Sequence, residues 1–175
     1  ATVSSLFGGS HFTNPEILDS FAGIAISSYV ADTSRGAWQY QVSGSGSWVD
    51  LGTVASGNAT TLNAADKLRF VPATNYNGAA TQLSANLVES GLTLTSGGSI
   101  TLDASTKGGT THISDAVVTL SETINAVNDA PQVLVSTTTL ATIDEDASSI
   151  AGATVSSLRS EEHTSELQSH LNLVC

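Results

Sequence analysis

Residues 38–42, WQYQV, decide the fold class of this chain, because apolar and polar side chains alternate along them. A period of two places the tryptophan, the tyrosine and the valine on one face of a β-strand. The GSG at 44–46 predicts a turn, and residues 47–51 return as the partner strand of a hairpin. The stretch therefore predicts a half-buried antiparallel hairpin.

The same alternation recurs along the chain, with turn signals about every ten residues. It predicts strands at 68–72, 83–87 and 118–126, and an additional hairpin that joins 92–94 to 100–102. Helix signals are weak, and only residues 63–66 predict one helical turn. Short antiparallel strands in this number close most naturally into two packed sheets. The sequence therefore predicts an all-β protein with an antiparallel β-sandwich.

The chain is acidic and poor in cysteine. Its 175 residues include 16 Asp and Glu against 5 Lys and Arg, a net charge of −11, and one cysteine, Cys175. A single cysteine excludes a disulfide framework and a thiolate metal site. The acidic balance argues against nucleic acid as a partner and is compatible with divalent cations. No apolar run approaches the roughly 18 residues of a membrane span, so membrane insertion is not expected.

The hexapeptide ATVSSL occurs at Ala1–Leu6 and again at Ala153–Leu158, which gives a period of 152 residues. A period this long indicates whole domains in tandem rather than the short units of a solenoid. Registered on that period, residues 1–127 are predicted to be a β-sandwich repeat that lacks its N-terminal strand or strands. Residues 128–158 are predicted to be the opening strands of the next repeat.

The residues after the second hexapeptide differ completely from those after the first. Residues 159–170 resemble the translation of a widely used sequencing-library adapter. We therefore interpret 159–175 as a non-native tail and exclude it from fold reasoning. A short amphipathic helix is the alternative interpretation of the same residues.

Four motifs follow one another in the order and spacing of a known class of repeats. They are GAWQY at 36–40, LRFVPATNYNG at 68–78, NAVNDAP at 125–131 and DED at 144–146. Together they resemble the cadherin-like and VCBS-type tandem repeats of large bacterial adhesins of the RTX class. At 89–91 the chain reads ESG where many relatives carry Asp-Gly, so no cation role is expected there.

The resemblance implies an Ig-like or cadherin-like sandwich, an extracellular or bacterial cell-surface location, and calcium at or near domain junctions. It also implies a structural spacer function in cell adhesion. The expected partners are neighbouring repeats of the same chain, together with surface glycans or proteins reached through other domains. Neither nucleic acid nor membrane insertion belongs to this interpretation.

Calcium also has an argument from the residues themselves. The predicted ligands are Asn128, Asp129, Asp144, Glu145 and Asp146. Ca²⁺ takes several oxygen ligands from closely spaced carboxylates and from carbonyl groups. Three adjacent acids repel one another unless a cation neutralises them. The alternatives are a solvated acidic loop and, for Asp129, a cap on the turn before the following proline.

Other candidate sites have weaker signals. Trp38 and Tyr40 are expected in the core, whereas Trp48 is the better candidate for partial exposure and for stacking on a sugar ring. A carbohydrate-binding β-sandwich module is therefore the alternative function. His11 and His112 lie far apart in sequence without other histidines or cysteines nearby, which argues against a transition-metal site. No G-x-S-x-G elbow accompanies any serine, so the chain is not expected to be an enzyme.

Overall fold

The computed structural model describes residues 1–13, 19–134 and 136–158. Its contacts separate the chain into two units, Ala1–Val127 and Asn128–Cys175. Over the ranges just given, no helix is both long enough and apolar enough to cross a membrane. The tail predicted to be non-native, 159–175, lies outside the described residues.

The first unit consists of short strands with little helix. Its α-helix, α1, covers Val3–Phe7, and 3-10 turns cover Gly9–His11 and Ser56–Asn58. The strands that the structure describes are, in chain order, β1 (Phe21–Tyr29), β2 (Gly36–Gln41), β3 (Val49–Asp50), β4 (Ala59–Asn63), β5 (Lys67–Pro72), β6 (Gly78–Ala79), β7 (Leu83–Glu89), β8 (Ser99–Ile100), β9 (Ile113–Leu120) and β10 (Thr123–Ile124).

Eight of these strands form the two sheets of a sandwich. One sheet has the order β8-β4-β1-β7-β9 and the other has the order β3-β2-β5, while β6 and β10 form a separate two-stranded ladder. All of these pairs are antiparallel. The prediction of an all-β antiparallel sandwich is therefore confirmed.

The alternating stretch at 38–42 lies at the centre of the smaller sheet. The side chain of Trp38 is buried, its ring meets Phe70 edge-on at 5.4 Å between centroids, and its indole N–H donates to the Thr81 carbonyl at 2.7 Å. Tyr40 lies opposite Val49 on β3, so the predicted hairpin is present. Buried side chains from both sheets and from α1 make one core cluster, which contains Val3, Phe7, Ile24, Ile26, Tyr29, Trp38, Leu51, Val54, Leu62, Leu68, Leu83, Ala85 and Leu87.

The five-stranded sheet is also covered on its other face. A second cluster joins Ala25, Ala59 and Val88 of the sheet to Leu102 and Ile113, and the segment between β7 and β9 supplies partly buried leucines. This segment is not the hairpin predicted from 92–94 and 100–102. Instead, β8 pairs with Ala59–Thr60 at the edge of β4. A two-stranded hairpin on its own is only marginally stable. The segment between β7 and β9 instead pairs with the edge of the larger sheet and packs on its apolar face.

The carboxylate of Asp66 is fully buried and joins three loops. It accepts hydrogen bonds from the backbone N–H of Ser43 at 2.8 Å, from the backbone N–H of Asn63 at 2.7 Å, and from the hydroxyl of Ser96. The helical turn predicted at 63–66 is a tight turn between β4 and β5, in which the Asp66 N–H donates to the Asn63 carbonyl at 3.0 Å. Asp66 therefore stabilises this turn rather than a helix.

The helix α1 was not predicted from the sequence. Thr2 is its N-cap, and the Thr2 hydroxyl accepts the backbone N–H of Ser5 at 3.1 Å. Val3 and Phe7, one turn apart on the helix, are both fully buried in the main core. The short helix is therefore anchored to the sandwich at both of its ends.

The predicted long strand at 118–126 is divided between two sheets. The chain leaves the larger sheet after β9, and β10 pairs with β6 instead. Between the two strands, the carbonyl of Glu122 accepts the N–H of Ala80 at 2.9 Å. In the alternation of the predicted strand, Glu122 occupies a position on the apolar face, and the break lies at this position.

The second unit has no strand in its described residues, 128–134 and 136–158. Its regular structure there is a 3-10 turn at Val155–Leu158. Large apolar side chains are exposed along it, namely those of Val133, Leu134, Leu140, Ile143, Ile150 and Val155. A strand needs a hydrogen-bonded neighbour, so the expected opening strands of a next repeat remain a prediction.

Candidate functional site

The five predicted calcium ligands lie in the second unit, and the structure leaves all of them exposed. The amide nitrogen of Asn128 donates to the Asp129 carbonyl at 3.3 Å, and Ala147 N–H donates to the Asp144 carbonyl at 3.2 Å. Throughout the part of the chain that the structure describes, no group of three or more His, Cys, Asp or Glu side chains could hold a metal ion. Calcium binding by this segment therefore stays a prediction.

Two aspartates of the first unit are engaged in turns of their own. The Ser34 hydroxyl donates to the Asp32 carboxylate at 2.6 Å, and that hydrogen bond, with help from Arg35 at 3.1 Å, lowers the pKa of Asp32. Asp103 repeats the arrangement, because the Ser105 hydroxyl at 2.6 Å and the backbone N–H of Ser105 lower its pKa. Both carboxylates therefore accept hydrogen bonds from residues of their own turns.

The outer face of the three-stranded sheet carries a connected polar array. The guanidinium of Arg69 lies 4.0 Å from the centre of the Trp48 ring and donates from Nε to Gln39 Oε1 at 2.8 Å. Gln39 in turn donates to the carboxylate of Asp50 at 2.7 Å. We call Trp48, Arg69, Gln39 and Asp50 the outer array. Of these four residues, only Trp48 is a candidate site residue from the sequence, although the period of two that buries Trp38 also puts Gln39 and Arg69 on the outer face.

A cavity of about 460 Å³ lies beside the edge strand β9. Its walls include His11 and His112, which lie far apart in sequence. His112 Nδ1 lies 3.0 Å from Glu89 Oε1 in the same wall. Within the described ranges, His11, His112 and Glu89 do not come together as a group that could hold a metal ion. The signal that sequence lacked was the pairing of β7 with β9, which brings residues 89 and 112 together.

Ser114 lies in the same cavity wall, yet its hydroxyl is occupied by backbone groups. It donates to the Ala116 carbonyl at 2.7 Å and accepts the N–H of Leu87 at 2.9 Å. These bonds span the irregular register between β7 and β9 near Asn86. The hydroxyl therefore stabilises a β-bulge.

The two copies of ATVSSL make the same capping hydrogen bonds, although the first opens the α-helix α1 and the second opens a 3-10 turn. In the first copy, Ser5 N–H donates to the Thr2 hydroxyl at 3.1 Å, and the Ser5 hydroxyl returns a bond to the Thr2 carbonyl at 2.8 Å. In the second copy, Ser157 makes the same two bonds with Thr154, at 3.2 and 2.7 Å. The sequence repeat is therefore also a repeat of local structure. The copies differ in burial, because Val3 is 0% exposed and its counterpart Val155 is 87% exposed.

Comparison of the chain with family models, with curated proteins and with solved structures finds no match.

Proposed function

We propose that this chain is a structural spacer repeat of a large secreted or cell-surface bacterial adhesin. The observation that carries the proposal is the hexapeptide, which recurs after 152 residues and makes the same capping hydrogen bonds both times. In the first copy the turn inserts Val3 and Phe7 into a sandwich core. The second copy has the turn without such a core, as expected for a segment that opens a further sandwich in a tandem array.

Calcium at the junctions would stiffen such an array. Asp144, Glu145 and Asp146 lie in the exposed segment that leads to the second hexapeptide. There they could bind a calcium ion together with oxygen atoms of an adjoining repeat. Ca²⁺ takes six to eight oxygen ligands, and oxygens of an adjoining repeat would complete a shell begun by these carboxylates. Ligands shared between successive repeats would therefore order the junction, and the array would project a distal binding domain from the cell.

The calcium proposal predicts the thermal stability of a tandem protein. Two successive copies of residues 1–152, closed by 153–158, should unfold at a higher temperature in calcium than in chelator. At about 100 times its Kd, a ligand that binds only the folded state adds about 2.7 kcal/mol. For domains of this size that gain raises Tm by about 5–10 °C. The measurement is calorimetry of the tandem protein in the two buffers.

The matched control for this experiment is the tandem protein carrying D144N, E145Q and D146N in both copies. This variant keeps side-chain size and removes the charges, so its Tm should be the same with calcium and with chelator. An equal Tm for the unmodified tandem protein in both buffers would refute the role of calcium, while the proposed spacer would keep its fold.

The outer array favours a second candidate function, carbohydrate binding. Trp48 presents a partly exposed ring, and the amide, guanidinium and carboxylate of Gln39, Arg69 and Asp50 lie on the same sheet face. An aromatic surface beside several directional polar groups is the chemistry that a sugar ring requires, with apolar stacking on one side and hydroxyl partners around it. Under this alternative the sandwich would itself attach to glycans.

A binding experiment distinguishes this candidate. A panel of bacterial and host glycans is first screened for binding to the chain. If the array binds glycans, Trp48→Ala should weaken binding of a glycan found in this screen at least tenfold, equivalent to about 1.4 kcal/mol. The control is Val71→Ala, an exposed position of the same sheet that lies outside the array. Titration calorimetry measures both. Absence of any glycan hit, or equal affinities for the two variants, would contradict the carbohydrate-binding function.

A further inference from the structure

The first two residues of the chain already pair with β5. Leu68 N–H donates to the Ala1 carbonyl at 2.9 Å, and the Ala1 amino group donates to the Leu68 carbonyl at 3.1 Å. Thr2 forms an antiparallel bridge with Lys67. The start of the hexapeptide therefore forms the end of a short antiparallel ladder with β5. A strand that continues this ladder ahead of Ala1 would keep the same register.

Beyond Leu68, no strand among the described residues pairs with that edge of β5. The sheet order places β5 at the margin of the three-stranded sheet in the described part of the chain. Backbone groups of successive residues alternate between the two sides of a strand. Because Leu68 bonds toward Ala1, Phe70 presents its N–H and C=O on the same side. An open edge with unsatisfied groups favours addition of a further strand.

The repeat identifies the sequence that precedes the hexapeptide. Residues 149–152, SIAG, stand directly ahead of the second copy and are exposed in the structure. Aligning that copy with the first extends the observed register. Gly152 then falls opposite Arg69, Ala151 falls opposite Phe70, and Ile150 falls opposite Val71.

We propose that the residues equivalent to 149–152 form a strand on the edge of β5 of the sandwich that the following hexapeptide opens. The partner is thus a second copy of this chain, joined in tandem. The inference rests on the proposed tandem array. Ala151 would exchange two backbone hydrogen bonds with Phe70, while Pro72, which lacks an N–H, would end the ladder.

The side chains on the outer face fit this register. Val71 is 39% exposed and Ile150 is 64% exposed, so pairing them covers two apolar side chains that otherwise face water. Gly152 adds no side chain beside Arg69. The stacking of Arg69 on Trp48 would therefore persist when the strand is added.

A cysteine pair tests the register. The chain is extended ahead of Ala1 by a second copy of residues 144–152, with Cys175→Ser, Val71→Cys and, in the added segment, Ile150→Cys. Non-hydrogen-bonded antiparallel pairs have Cα atoms about 4.5 Å apart, within the range a disulfide spans. We expect most molecules to form the intramolecular disulfide under mild oxidation, measured by intact mass and by free-thiol titration.

The control moves the added cysteine by one residue, to Ala151→Cys, with Val71→Cys retained. Its side chain would point to the opposite face, so this protein should stay reduced. Equal oxidation of both pairs, or of neither, would overturn the proposal. Neither cysteine pair involves the acidic residues 144–146. Such a result would therefore decide neither the calcium experiment nor the proposed spacer function.

Amide exchange supplies a measurement that needs no cysteine variant. The Phe70 amide should exchange at least tenfold more slowly in the extended chain than in the original chain, because the added strand supplies its acceptor. The Arg69 amide faces β2 in both proteins and should change little. An unchanged Phe70 rate in a folded extended chain would also refute the added strand.

Discussion

Replacing Asp66 by alanine should lower the free energy of unfolding by about 2–4 kcal/mol, because three hydrogen bonds to its buried carboxyl group would be lost at about 0.5–1.5 kcal/mol each. The fully buried carboxylate accepts from Ser43 N–H, Asn63 N–H and the Ser96 hydroxyl. Alanine would leave the backbone N–H groups of Ser43 and Asn63 without this acceptor. It would also release the turn between β4 and β5 from the loop that covers the outer face of the larger sheet.

Urea unfolding followed by circular dichroism measures this loss. Asp66→Asn should fall between the alanine variant and the unchanged protein, because the amide keeps one acceptor oxygen and replaces the other with a donor. The matched control is Asp50→Ala, since Asp50 is exposed and should change stability by about 0.5 kcal/mol or less. A loss below about 1 kcal/mol for Asp66→Ala would show that the network is not a structural anchor.

Val3→Asp should destabilise the first unit by about 4 kcal/mol or more, because it places an unpaired charge in the core. The first unit buries Val3 completely, between α1 and the two sheets. Typical domains have only about 5–15 kcal/mol of stability, so Tm should fall by about 10–20 °C. Differential scanning calorimetry of the full chain measures this change.

Val155→Asp is the control with the same local sequence. Val155 is 87% exposed within a turn that has the same capping bonds, so its replacement should leave Tm within about 1 °C. In a tandem protein, where the second hexapeptide is followed by its own sandwich, the same change should become as damaging as Val3→Asp. Equal effects of both substitutions in the present chain would contradict the assignment of burial to the first copy alone.

Local alternation predicted the strands whose environment is simple. The stretches at 38–42 and 68–70 have one wet and one buried face, and both became strands of the smaller sheet. Strand β7 was predicted from Leu83, Ala85 and Leu87, yet Asn86 and Val88 are buried too. The alternation of these residues predicts an exposed second face, so the sequence could not show that a further layer covers this sheet.

Among the candidate sites, too, some could be predicted from the sequence and others depend on the tertiary structure. The acidic run at 144–146 was visible in the sequence because its residues are adjacent, and its role in binding calcium stays a prediction. Trp48 was also visible, but its contact with Arg69 depends on β2, β3 and β5 lying side by side. The common cavity wall of His11 and His112 likewise depends on long-range packing.

The sequence by itself determined the fold class and the period of 152 residues, because alternation and repetition are properties of neighbouring or identical residues. Only the tertiary structure decided which edge each strand joins, and it paired β8 with β4 rather than with 92–94. It also decided that Val3 of the first ATVSSL is buried and Val155 of the second is exposed, although the two copies have the same sequence and the same capping bonds. The physical reason is that a capped turn is formed by its own residues, whereas burial is supplied by the sheets that surround it.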